Sequence, residues 1–148
     1  MRQVGIFGKR KSGKSALMYA LTHHKMTQET KYSAMEIFGI EKIMLVDTVG
    51  VDVEETNAEK SAESMEVAIM LISNDSFDLE MAWLSKLRKI GVKIILVISQ
   101  ADKFPDDGKS LAAAVNEVSG LNAICVSSKT GAGIEELNKE ILKLLAEI

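Results

Sequence analysis

The chain has 148 residues and a mass of 16.2 kDa, which suits one domain spanning residues 1–148 and able to bury roughly 68–70% of its unfolded surface. Hydrophobic residues at 47% and charged residues at 26% exclude a disordered chain, and 18 Lys and Arg against 21 Asp and Glu (net −3) give no basic excess for nucleic acid or an anionic membrane. One cysteine excludes an internal disulfide and a cysteine-only metal cluster, and the absence of a signal-peptide pattern or a span-length apolar run leads us to expect a cytoplasmic protein.

In chain order, residues 3–7 read as a strand ending at Gly8, and residues 14–24 as a helix with Leu17, Ala20 and Leu21 on one face. Residues 25–33 form a polar loop, 34–40 a strand, and 43–46 a short strand closed by Asp47. An acidic loop over 49–57 leads to a helix over 58–65 with Asn57 as its cap. Residues 67–72 read as a buried strand, and 79–90 as a helix capped by Asp78 and ended by Gly91. A strand over 92–98, a helix over 111–118, a strand over 123–126 and an amphipathic helix over 134–148 complete the chain. Near-continuous apolar strands alternating with helices predict an α/β fold in three layers with a mostly parallel sheet. Trp83, Cys125 and most of the 8 Met read as core packing.

Gly8-Lys9-Arg10-Lys11-Ser12-Gly13-Lys14-Ser15 matches G-x-x-x-x-G-K-[ST] and lies between the first strand and the first helix, where a phosphate-binding loop belongs. Glycines let backbone amides turn inward on phosphate oxygens, and the helix N-terminus adds partial positive charge. Residues 8–15 and Ala16 are the expected nucleotide contacts; Lys14 reaches the β- and γ-phosphates and the Ser15 hydroxyl ligates Mg²⁺. A Gly-rich turn before an amphipathic helix is the plainer alternative. Asp47, a carboxylate at a strand end, suits the second metal-binding element, although alone it would read as a turn or cap. The backbone N–H of Gly50 would approach the γ-phosphate, so Lys14 and Gly50 are the expected catalytic groups and the acidic loop after Gly50 a nucleotide-sensitive switch.

From here the chain resembles the translation-factor-related GTPases and, within them, the Era/TrmE-like group. Asp47-Thr48-Val49-Gly50 resembles D-x-x-G, Ser99-Gln100-Ala101-Asp102 stands in the place of N-K-x-D, and Ser127-Ser128-Lys129 resembles the S-A-K element over the base. The resemblance implies a small-GTPase-like P-loop fold, GTP and GDP as ligands, and Ser99, Gln100, Asp102, Lys103, Ser127, Ser128 and Lys129 as further nucleotide contacts. It also implies Thr27 as a third Mg²⁺ ligand beside Ser15 and Asp47, with a solvent-facing loop threonine as the alternative.

Ser33-Ala34-Met35-Glu36-Ile37, Leu45-Val46-Asp47-Thr48-Val49-Gly50 and Glu59-Lys60-Ser61-Ala62 resemble more closely the G domain of the iron–iron hydrogenase maturation GTPases (HydF). The ethanolamine- and propanediol-utilisation G proteins (EutP/PduV-like) have a similar length. An excised domain and a free-standing relative both accord with these likenesses.

Three departures qualify the resemblance. Ser99 and Gln100 replace Asn and Lys while Asp102 remains, so a guanine preference with weaker affinity is expected; an ordinary turn is the alternative for Asp102. Lys11 stands where potassium-activated relatives carry Asn; its ammonium either replaces a monovalent cation or faces solvent. Val51 follows Gly50 in place of a water-positioning glutamine, Glu54 and Glu55 read either as water-orienting groups or as a solvated acidic loop, and no arginine finger is assignable, Arg10 included.

The expectation is a Mg²⁺-dependent, slowly hydrolysing GTP switch with a protein effector or activator, or a homodimer, as partner and no nucleic acid. A nucleotide-binding module with little hydrolysis is the alternative. His23 and His24, adjacent in sequence, do not share a helix face and read as helix-end or surface residues.

Overall fold

A computed structural model describes residues 2–9, 11–22, 32–37, 41–47 and 63–147. In chain order they form β1 (Arg2–Phe7), α1 (Lys14–Thr22), β2 (Tyr32–Ile37), β3 (Glu41–Asp47), β4 (Val67–Ile72), α2 (Asp78–Ile90) and β5 (Lys93–Ile98). A 3₁₀ turn (Ala101–Lys103), α3 (Lys109–Ser119), β6 (Ile124–Cys125) and α4 (Ile134–Ala146) follow.

The strands form one sheet in the order β2-β3-β1-β4-β5-β6. All neighbours run parallel except β2, which pairs antiparallel with β3. The α/β fold with its mostly parallel sheet is therefore as expected. β1 lies between β3 and β4, with Ile6 opposite both Asp47 and Ile69.

The two-residue period of a strand divides the core into two layers. Val67, Ile69 and Leu71 of β4 face α1 and α4, packing with Leu17, Met18, Leu137 and Ile141. Ala68, Met70 and Ile72 face α2 and α3, packing with Trp83, Leu84, Leu87, Leu111 and Val115. All six residues of β4 are buried, which is why this segment reads as an unbroken apolar run. Trp83, Met18, Met65 and Met70 are core residues, and Met81 packs partly buried against the same core.

Several boundaries differ from expectation, each for a local reason. β2 begins at Tyr32 because antiparallel pairing of Tyr32 with Val46 and Ser33 with Leu45 extends the ladder beyond the apolar run. Asp78 does not cap α2. It is the first helical residue, Phe77 holds the cap position without a side-chain bond, and Asp78 and Glu80 instead place negative charge in the first turn. Gly91 ends α2 in the left-handed conformation, its N–H donating to Arg88 and Leu87 carbonyls. α3 starts earlier than its apolar pattern because Asp106 accepts the Gly108 N–H at 3.1 Å and the Ser110 N–H at 2.9 Å. β6 is limited to the two residues that pair with β5, and α4 ends at Ala146. Residues 23–24, 38–40 and 58–62, assigned above to a helix, a strand and a helix, lie outside the described residues.

Candidate nucleotide site

The phosphate loop leaves the C-terminal end of β1 and enters α1, at the edge of a parallel sheet where ligands of such folds bind. Lys11 and Gly13 adopt positive φ, 64° and 97°, and this alternation of handedness turns successive amides to one side. Gly13 also brings the loop close to its neighbour, since a Cβ there would lie 3.4 Å from Gln100 Nε2. The Ser12 N–H donates to the Lys9 carbonyl at 3.1 Å and closes the turn. The Lys14 ammonium donates to the carbonyls of Gly8, at 3.2 Å, and Lys9, at 3.0 Å. Two of its three donors thus hold the head along the loop. Ser15 and Ala16 are exposed in the first turn of α1, and the Lys11 side chain is exposed.

The second half of the site comes from the ends of β5 and β6. The Ser99 hydroxyl, buried to 5% exposure, donates to the Ser12 carbonyl at 2.7 Å. Serine in the place of asparagine therefore keeps a direct bond to the phosphate loop. Gln100 is left-handed at φ 56°, with its side chain against Gly13. Ser127, 1% exposed, donates its hydroxyl to Asp102 Oδ1 at 2.8 Å and accepts the Thr130 N–H at 3.1 Å. Its own N–H bonds the Ala132 carbonyl, and its carbonyl receives the Gly131 N–H. Ser127 is thus a buried strut that orients the carboxylate of Asp102.

Gly13, Ala16, Ser99, Gln100, Asp102, Lys103, Ser128 and Lys129 surround one hollow of about 280 Å³. The chain brings these predicted contacts together although they are distant in sequence. A larger, mainly apolar groove of about 760 Å³ lies elsewhere, between the segment before α2 and the start of α3, among Asn74, Phe77, Phe104 and Leu111. It lacks the convergent donors of the smaller hollow.

The register places the backbone of Asp47 beside Ile6, close to where β1 gives way to the loop. Mg²⁺ is generally held by one or two protein oxygens together with substrate phosphates. A serine opening α1 and an aspartate ending β3 are residue types that would suit such a donor set. Arg10, Thr27, Thr48, Val49, Gly50, Val51, Glu54 and Glu55 lie outside the described residues, as do His23 and His24.

Two partners of the phosphate loop, Glu80 and Ser76, escaped sequence reasoning. The Lys9 ammonium lies 3.3 Å from Glu80 Oε1 and donates to the Ser76 carbonyl at 2.5 Å. Glu80 is 1% exposed on the same stripe of α2 as Trp83, Leu84 and Leu87. A carboxylate on an apolar stripe signals a buried partner, but the pattern does not say which residue that is.

The profile of the 50S ribosome-binding GTPases matches residues 3–100, more than half of the chain. The chain belongs to this GTPase family. Its domain is accordingly of the GTP-binding class, and the match takes in the phosphate loop and ends at Gln100, before Asp102 and Ser127. No curated protein matches the chain significantly in sequence.

Among solved structures, Era in complex with MgGDPNP and nucleotides 1506–1542 of 16S ribosomal RNA is similar at TM-score 0.82 and 22% identity. That likeness covers 97% of this chain and 56% of the Era chain, so this chain spans little more than half of Era's length. A probable GTP-binding protein engB is similar at TM-score 0.77 and 18% identity, and the FeoB G-domain of Methanococcus jannaschii at 0.76 and 21%, each covering 99% of both chains. At these identities the likenesses carry the P-loop GTPase fold. Among the described residues no helix is long and apolar enough to cross a membrane.

Proposed function

We propose that residues 1–148 act as one G domain that binds GTP and GDP with Mg²⁺, prefers guanine and hydrolyses GTP slowly, with output through a protein partner in the cytoplasm. The observation that carries this reading is the convergence, on one hollow, of the end of the phosphate loop and the Asp102 carboxylate held by Ser127. In this reading residues 8–16 cradle the phosphates, and Lys14 meets the β- and γ-phosphate oxygens from a head already aligned along the loop. Ser15, Asp47 and Thr27 would hold Mg²⁺, which would supply charge neutralisation at the transferring phosphoryl group. In this reading the backbone N–H of Gly50 would contact the γ-phosphate.

Asp102 accepts hydrogen bonds from the ring N–H and exocyclic amine of guanine, a pair that adenine does not present. Ser127 fixes one of its oxygens, and Lys103, Ser128, Lys129 and Gln100 enclose the purine. The bond from Ser99 to Ser12 couples base and phosphate halves, so a change in one is felt in the other. Positioning and charge stabilisation supply most of the acceleration in such phosphoryl transfers. Val51 in place of glutamine, and the lack of an assignable arginine finger, support slow intrinsic turnover, which external groups raise by about 10³–10⁵ in related systems. The same two features support the second reading, a nucleotide-binding module with little hydrolysis. An exposed Lys11 side chain accords with the solvent-facing role and leaves a monovalent cation as the candidate supplementary charge.

Hydrogenase maturation and ethanolamine or propanediol utilisation rest on the resemblances of residues 33–37, 45–50 and 59–62 and of length. Era was solved with ribosomal RNA, but the net charge of −3 favours a protein partner or a second copy here. The test is competition binding of GDP and ADP with Mg²⁺, followed by phosphate release from GTP. The parent is expected to prefer GDP, and Asp102→Asn to lose roughly 1–3 kcal/mol of that preference. Undiminished discrimination in Asp102→Asn would reject the base-reading role, and binding without turnover would favour the second reading.

A further inference from the structure

We infer that Lys9 is a positioning residue of the phosphate loop: its side chain clamps the loop to Glu80 and Ser76, and its backbone thereby holds Lys14 on its bearing. This rests on the reading of residues 8–15 as the phosphate site and adds a part to it. Lys9 is used twice. Its ammonium is 3.3 Å from Glu80 Oε1 and 2.5 Å from the Ser76 carbonyl, while its own carbonyl accepts both the Lys14 ammonium, at 3.0 Å, and the Ser12 N–H, at 3.1 Å. The residue that closes the turn and aims the phosphate-binding lysine is therefore tied by its side chain to a different element.

That element is packed into the core. Glu80 is 1% exposed, on the stripe of α2 that packs through Trp83, Leu84 and Leu87. The Trp83 ring lies 6.4 Å from that of Phe7, two residues before Lys9, so the same helix holds the end of β1 from below. A buried carboxylate strongly favours a cation kept in place, so the Lys9 side chain lacks the rotamer freedom of a surface lysine. Much of the cost of binding a phosphate tail is the ordering of the loop around it; a loop anchored in advance avoids part of that cost. Pairing with Glu80 also partly neutralises the Lys9 charge. The clamp therefore acts on phosphate affinity mainly through the geometry of Lys14.

The test compares the parent with K9M/E80Q, K9R and E80Q. K9M/E80Q removes the ion pair without leaving a lone buried charge. The readouts are the release rate of a fluorescent GDP (mant-GDP), the split of GTPase kinetics into kcat and KM, and the unfolding midpoint. K9M/E80Q is expected to release mant-GDP about tenfold faster than the parent and to lose kcat as well, with K9R within about twofold of the parent. E80Q, which leaves Lys9 held by Ser76, is expected to fall between them and carries the test if the double variant does not fold. Release at the parent rate in K9M/E80Q, or in E80Q if that is the variant that folds, would overturn the inference whatever happens to the midpoint, because a merely structural ion pair changes stability alone. A parent that binds no mant-GDP would instead overturn the phosphate site itself.

Discussion

Ser99 joins the two halves of the site through a single buried hydrogen bond to the Ser12 carbonyl. From the sequence this serine reads as a loss, since it stands where the family's asparagine is expected. Its hydroxyl nonetheless reaches the phosphate loop because β5 delivers it directly beneath that loop, a juxtaposition 87 residues apart that no local pattern reveals. Ser99→Ala is expected to lower stability by about 1–3 kcal/mol, read in urea unfolding, and to speed GDP release, because it leaves the Ser12 carbonyl without that donor. The glycines and the Lys-Ser pair of residues 8–15 were legible because phosphate binding by backbone amides demands those residue types in that order. The Ser127 strut under Asp102 and the Glu80 partner of Lys9 were not, since hydrogen bonding and burial between distant segments chose them.

Helix and strand ends show which local chemistry the sequence pattern carries. The apolar period located β4 and the body of α2, but α3 starts before its apolar residues because a carboxylate gathers its first amides. Hydrogen bonds from the Ser110 hydroxyl and N–H, together with the Gly108 N–H, hold the Asp106 carboxyl below the usual aspartate range. A lowered folded pKa contributes stability above the unfolded value and loses it as pH falls through the folded one. Asp106→Asn is therefore expected to be less stable than the parent at neutral pH, with the gap closing below about pH 3.9 in paired thermal melts.

At the start of α4, Gly133 has φ 79°, and a Cβ there would lie 2.1 Å from the Cys125 carbonyl oxygen. Gly120, at φ 75°, has nothing within 4 Å of the same position. Gly120→Ala should cost only the ~1–2 kcal/mol of a left-handed alanine, while Gly133→Ala should cost clearly more, because β6 must shift as well. Equal urea midpoints for the two would contradict the close approach.

For the molecule as a whole, near-continuous apolar strands revealed a sheet covered on both faces, but they could not give strand order, since an unbroken apolar run names no neighbour. That order, β2-β3-β1-β4-β5-β6, puts β1 centrally and brings the loops after β1, β5 and β6 to one edge. The ligand site is therefore a product of topology, and nucleotide should stabilise the entire fold through linkage. At a ligand concentration of 100 Kd this amounts to about 2.7 kcal/mol.

The most direct measurement is titration calorimetry of GDP with Mg²⁺ into the folded parent and into Lys14→Ala. One nucleotide per chain should bind the parent, and the variant should bind roughly 10–100-fold more weakly through loss of its charged hydrogen bonds. No heat with the parent, or equal affinity in the two proteins, would contradict a phosphate tail held between β1 and α1.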